Sequence, residues 1–106
     1  MINLTKEELI DNFNNTISYH VQELANEGEI DSAYYFENKY FQLVDVEIDQ
    51  ANDRIKFIVD KQFRGNKYEP REEIAAWIVA YALKADYDEC LDNIIQVKAN
   101  TVLVKY

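Results

Sequence analysis

Carboxylates and tyrosines are the residues of this chain with the most obvious capacity for chemistry. There are 20 Asp and Glu and 8 Tyr, but one His, His20, and one Cys, Cys90. A single cysteine makes no intramolecular disulfide and no cysteine zinc site. A single histidine makes no multi-histidine metal centre, and no local nucleophile or oxyanion glycines stand beside it. His20 flanks an apolar stripe and reads as a partly buried structural residue. Cys90, next to Leu91, reads as a core residue. With 2 Gly in the chain there is no phosphate-cradling loop and no dinucleotide fingerprint. The expectation is a non-enzymatic protein with no catalytic, cofactor-binding or metal-ligating residue.

The carboxylates fall into three groups. Asp45, Glu47 and Asp49 alternate along an expected strand, about 6.8 Å apart, a spacing like that of successive phosphates on one nucleic-acid strand. Lys56 and Arg54 stand opposite Glu47 and Asp49 in the expected hairpin, so a solvated face with cross-strand ion pairs is the simpler reading. The row is not a calcium loop, because the glycine and the distal bidentate Glu are missing. The second group is Glu7, Glu8, Asp11, Glu23, Glu27, Glu29 and Asp31, answered only by Lys6. Glu7 with Asp11, and Glu23 with Glu27, are like-charge pairs at helical contact spacing, each costing roughly a few tenths of a kcal/mol. Folding alone does not ask for that, whereas a charge-complementary partner does. The third group, Asp86, Asp88, Glu89 and Asp92, reads as helix-capping and first-turn charges before it reads as a metal cluster. With Tyr19, Tyr34 and Tyr35 as exposed anchors, the second and third groups are the candidate partner-binding residues.

Charge is unevenly spread around a net of −9. Residues 1–53 hold twelve acids against Lys6 and Lys39, whereas residues 54–71 hold six bases against Asp60 and Glu69. The basic stretch interleaves Phe57, Phe63 and Tyr68, a pattern that binds single-stranded nucleic acid in other settings. Here two of its bases are claimed by the acidic strand, and the field of the whole molecule opposes a polyanion. No direct nucleic-acid contact is expected. A basic surface on a protein that handles nucleic acid is the expected partner, and a homodimer is the alternative association.

These groups must be held by a few elements. Thr5 with Glu8 makes a capping-box signature, and Leu4 stands ready to staple to Leu9. Ile10, Phe13, Ile17, Val21 and Leu24 then recur at helical spacing until Gly28, which predicts a helix over about 6–27. Asn12, Asn14, Asn15 and Thr16 are poor helix formers and its weak point. Residues 32–37 are aromatic and read equally as strand or helix. Val44, Val46 and Ile48 alternate with acids, Ile55, Phe57 and Val59 alternate with Arg54, Lys56 and Ile58, and Gln50–Asp53 joins the two runs as a hairpin. Pro70 at a first helical position opens an almost wholly apolar segment, 74–83, expected as a central buried helix. Asp86 with Glu89 opens another helix, continued by Leu91, Ile94 and Ile95 to Asn100, with 101–106 as a last strand. A hairpin through Ala99-Asn100 is the alternative, disfavoured because Ala is poor where turn residues need positive φ.

The sum is an α+β fold: helices on a small, mainly antiparallel sheet in the order α-β-β-α-α-β, with a possible strand near 33–37. The 106 residues suit one domain, 1–106. No apolar run reaches membrane-spanning length and no secretory signal is recognisable, so a cytoplasmic protein of a bacterial host cell is expected.

Two resemblances bear on function. Residues 16–30, Thr-Ile-Ser-Tyr-His-Val-Gln-Glu-Leu-Ala-Asn-Glu-Gly-Glu-Ile, resemble the recognition helix and exit turn of winged-helix transcription regulators. Residues 4–9 would then be the preceding helix and 33–48 the wing. That resemblance implies a regulator, although no Lys or Arg occurs from residue 7 to 38, where phosphate contacts would lie. As a class, a short acidic chain rich in Asn, Tyr and Ile also resembles the small anti-defence proteins of bacteriophages, notably anti-CRISPR proteins. That resemblance implies an inhibitor or nucleic-acid mimic acting through the acids of residues 7–31 and of Asp86–Asp92. A structural or self-assembling phage protein is a further alternative.

Overall fold

The computed structural model describes residues 3–29, 31, 40–65 and 70–106. Helix α1 runs from Lys6 to Asn26 and begins with the full capping box. The Glu8 amide donates to Thr5 Oγ1 at 3.1 Å, and the Glu8 carboxylate accepts from the Thr5 amide at 3.4 Å. At the other end Gly28 takes φ 76°, a left-handed value that costs glycine no steric penalty. Its amide donates to the Ala25 carbonyl and the Glu29 amide to that of Leu24, which closes a Schellman motif. The polar stretch at Asn12–Thr16 does not break the helix, because its side chains find partners. Asn12 donates to the Ala82 carbonyl at 3.1 Å, Thr16 to the Asn12 carbonyl at 2.7 Å, and Asn14 bonds to Leu43. Leu9, Phe13, Ile17 and Val21 form the buried stripe, with Ile10 and Leu24 at its margins. The winged-helix resemblance divides this stretch into two helices; the chain forms one.

Strands β1 (Leu43–Asp49) and β2 (Arg54–Val59) form the expected hairpin in the expected register: Val46 faces Phe57, Glu47 faces Lys56, Ile48 faces Ile55 and Asp49 faces Arg54. The start of β1 departs from simple alternation. A bulge between Leu43 and Asp45 turns Leu43 into the core and leaves Val44 54% exposed, so Val44 does not share the face of Val46 as its spacing predicts.

Helix α2 (Arg71–Leu83) starts one residue later than expected, with Pro70 in extended conformation as its N-cap rather than in the first turn. Ala75, Ala76, Ile78, Val79, Ala80 and Ala82 are buried. The small alanines let α2 pack closely on α1 on one side and on the next helix on the other. It is not buried all round: Trp77 is 42% exposed. Lys84 then takes φ 53° and ends the helix, and Asp86 caps helix α3 (Tyr87–Asn93) by accepting from the Glu89 amide at 3.2 Å.

The C-terminal third corrects the sequence reading. Helix α3 stops at Asn93, and Ile94–Lys98 is strand β3, paired through an Ala99-Asn100 turn with β4 (Thr101–Lys105). The element order is therefore α-β-β-α-α-β-β, in an antiparallel sheet ordered β1-β2-β4-β3. Of the two turn residues only Ala99 takes positive φ, 53°. Tertiary bonds hold it there. The Val59 amide donates to the Asn100 carbonyl at 2.9 Å and the Phe63 amide to the Ala99 carbonyl at 2.8 Å, while Asn100 Nδ2 donates to the Val59 carbonyl at 3.0 Å. The possible strand near 33–37 lies outside the described residues.

Val46, Phe57, Val102 and Val97 make one continuous row across all four strands, and each is buried. With Leu43, Ile55, Val59 and Val104 they form the sheet side of the core, against α1 and α2. On the opposite face run Glu47, Lys56, Leu103 and Gln96 in a parallel row.

Candidate functional site

The three carboxylate groups meet different fates. Two of the three acids on the strand have ion pairs, whereas the expected Asp49–Arg54 pair does not form among the described residues. Lys6 reaches from α1 to Asp45 at 2.9 Å, and Lys56 pairs with Glu47 at 3.5 Å. The Lys6 ammonium and the Val46 amide both donate to Asp45 and hold its carboxyl below the usual range. Hydrogen bonds from Asn52, at 2.8 Å to its side chain and 3.3 Å to its amide, do the same for Asp49. This row stabilises a hairpin and leaves no free ladder of charges.

Acids in the first turns of α1 and α3 also have local roles. Glu8 belongs to the capping box, and Glu7 complements the positive end of the helix dipole. Asp86 caps α3, with Asp88 and Glu89 in its first turn; Asp88, Glu89 and Asp92 are exposed. Among the described residues no three His, Cys, Asp or Glu side chains gather as a metal site requires.

The C-terminal half of α1 is different. Glu23 and Glu27 are exposed and one helical turn apart, in the part of the helix where the dipole favours cations, and its last turn holds no basic residue. Among the described residues neither carboxylate has a Lys or Arg within ion-pair distance. Tyr19 is 62% exposed, and the neighbouring Glu23 carboxylate pushes its phenol pKa up. Glu29 and Asp31 continue the acidic run and are exposed. Glu7 and Asp11 lie toward the other end of the helix: sixteen residues at 1.5 Å each put Glu7 about 24 Å from Glu23. Tyr34 and Tyr35 lie outside the described residues.

An aromatic row that sequence reasoning missed begins at this acidic end. His20 is exposed, not partly buried as expected, because its position lies just off the Ile17–Val21 stripe. Its ring stands 6.0 Å from Tyr19 and 6.3 Å from Tyr81 of α2. Tyr81 stacks on Trp77 at 5.8 Å, and Trp77 stacks on Tyr87 of α3 at 4.4 Å. The row thus crosses three helices. Its one sequence signal is the four-residue spacing of Trp77 and Tyr81, two large rings on one face of a segment, 74–82, otherwise made of Ala, Ile and Val.

A two-part groove follows the row. One part, about 350 Å³, is lined by Ile17, His20, Glu23, Leu24, Glu27, Tyr40 and Tyr81. The adjoining part, about 240 Å³, is apolar and lined by Phe13, Ile17, Tyr40, Phe41, Ile74, Trp77, Ile78 and Tyr81. Lys61 steadies its outer wall by donating to the Tyr40 carbonyl at 2.7 Å, and Phe41 stacks on Phe63 at 5.2 Å. Such a surface offers ring faces and carboxylates together. It is suited to a cation that carries apolar or planar surface.

Cys90 is buried as expected, and burial pushes its thiol pKa up, which keeps it protonated and unreactive. No helix of the described residues is long and apolar enough to cross a membrane. No family model matches the chain, and no curated protein or solved structure is significantly similar to it.

Proposed function

We propose that this chain is a small acidic binding protein, an inhibitor or adaptor without catalytic activity, that covers a basic surface on a protein that handles nucleic acid. One observation carries the reading: Glu23 and Glu27, with no Lys or Arg in ion-pair distance among the described residues, project as a like-charge pair from the half of α1 where the helix dipole favours cations. A helix selected for stability alone would place Lys or Arg there. A helix selected to meet a cationic surface would place acids there, beside aromatic side chains that anchor the contact.

The mechanism is steric and electrostatic occlusion. The net charge of −9 steers the encounter, Glu23, Glu27, Glu29 and Asp31 meet the partner's bases, and Tyr19 supplies contact area. Direct binding to nucleic acid is disfavoured by the same charge.

The test is capture from a nuclease-treated bacterial lysate with tagged protein, washed at low and at high salt. A nucleic-acid-processing protein held at low salt and shed at high salt is the expected result. Recovery of the bait alone, or of nucleic acid alone from an untreated lysate, overturns the reading.

A further inference from the structure

We infer that the groove between α1 and α2 receives an arginine side chain from a basic segment of the protein partner; this rests on the binding role proposed above. Three observations converge on that occupant. His20 and Tyr81, their ring centroids 6.3 Å apart, line the same groove as Glu23 and Glu27. Among the described residues no basic side chain pairs with those two carboxylates, and a cation complements their charge. The adjoining apolar part, walled by Phe13, Ile74 and Trp77, continues from Tyr81 and takes the apolar part of the segment that carries the cation.

Arginine fits this combination better than lysine. Its guanidinium is planar and weakly hydrated, stacks on an aromatic face and presents a fork of donors to carboxylates at the same time. A lysine ammonium is a compact, strongly hydrated point charge. It satisfies Glu23 or Glu27 equally well but gains less from the rings. A site of acids alone would not distinguish the two.

The chain carries its own reporter, because Trp77 is its single tryptophan and lines the groove. The experiment titrates the full chain with a blocked Gly-Arg-Gly peptide and, separately, with Gly-Lys-Gly. It follows Trp77 emission and the backbone amide resonances. The arginine peptide is expected to move the Glu23, Glu27 and Tyr81 resonances and to bind roughly tenfold tighter than the lysine peptide, the margin that stacking on a ring supplies. Glu23→Gln with Glu27→Gln is expected to weaken arginine binding by roughly fivefold or more. The same charge change on the outer sheet face, Glu47→Gln with Asp49→Asn, leaves it unaltered. Tyr81→Leu, checked for an unchanged fold by circular dichroism, is expected to abolish the preference for arginine.

Equal affinity for the two peptides, or resonance shifts on another face, overturns the groove as an arginine site. This outcome is separate from the fate of the wider reading. Capture of a basic partner without an arginine-selective response overturns the groove and keeps the binding role. A selective response with no nucleic-acid-handling partner captured keeps the groove and overturns the partner class.

Discussion

Asn14 of α1 acts as a strand partner for Leu43. Its Nδ2 donates to the Leu43 carbonyl at 3.2 Å, and its Oδ1 accepts from the Leu43 amide at 3.1 Å. Both backbone groups of the residue that precedes the bulge are thereby satisfied by one side chain. The pair locks the first helix to the first strand across 29 residues of sequence. It also caps one end of β1, an outer strand of the sheet among the described residues, where unwanted pairing begins.

Asn14→Ala should therefore cost roughly 1–3 kcal/mol, since both groups of Leu43 lose their partner in a partly buried place. Urea unfolding followed by circular dichroism measures it. A change below a few tenths of a kcal/mol would mean that water replaces the side chain without loss.

Ala99→Gly should raise stability by roughly 0.5–1 kcal/mol, because Ala99 sits at φ 53°, where a Cβ is strained and glycine is not. Ala99→Val should do the opposite by more. The two unfolding midpoints should fall on either side of that of the parent chain.

The Lys6–Asp45 pair sets a pH dependence at the acid end. Asp45 has a lowered pKa when folded, first through its hydrogen bond to Lys6. Its contribution is full above the unfolded value of about 3.9 and is lost as pH falls through the folded value. The stability gap between the parent chain and Asp45→Asn should stay constant from about pH 5 to about pH 9 and close on further acidification. Lys6, raised chiefly by the same hydrogen bond, acts at the other extreme. Its contribution is full below about pH 10.4 and is lost as pH rises through the folded value. Urea midpoints across both ranges check the two signs.

Glu27→Lys should separate stability from function. It removes the repulsion with Glu23 and places a cation near the helix C-terminus, which should raise stability by roughly 0.3–1 kcal/mol. The same change should weaken partner binding. A variant that is both less stable and fully able to bind would contradict the role given to this face.

What the sequence disclosed, and what it hid, follows from the range of the interactions. The capping box at Thr5–Glu8 and the exit at Gly28 are local, so the bounds of α1 were readable to within a residue. The β1–β2 register was readable because charges and apolar residues agree on opposite faces of one hairpin. Strand β3 was misread because Leu91, Ile94 and Ile95 keep helical spacing. The bonds that hold the Ala99 turn come from Val59 and Phe63, some 40 residues earlier. The bulge at Val44 likewise adjoins a long-range contact, the bonds of Asn14 to Leu43. The acids of α1 were visible as candidates, but their division was not: Glu8 caps, Glu7 meets the dipole, and Glu23 and Glu27 border a groove. The groove itself joins rings from α1, α2 and the Tyr40–Phe41 segment, a juxtaposition that only tertiary packing creates.

The central claim is that the acidic end of α1 is a binding face rather than a solubilising one. The most direct measurement compares lysate capture by the parent chain with capture by Glu23→Lys/Glu27→Lys/Asp31→Lys and by Asp88→Lys/Asp92→Lys, all verified as folded. The account predicts that the α1 variant loses its salt-sensitive basic partner while the α3 variant retains at least part of it. Equal retention by all three proteins would contradict the account and return the α1 acids to a role in solubility alone.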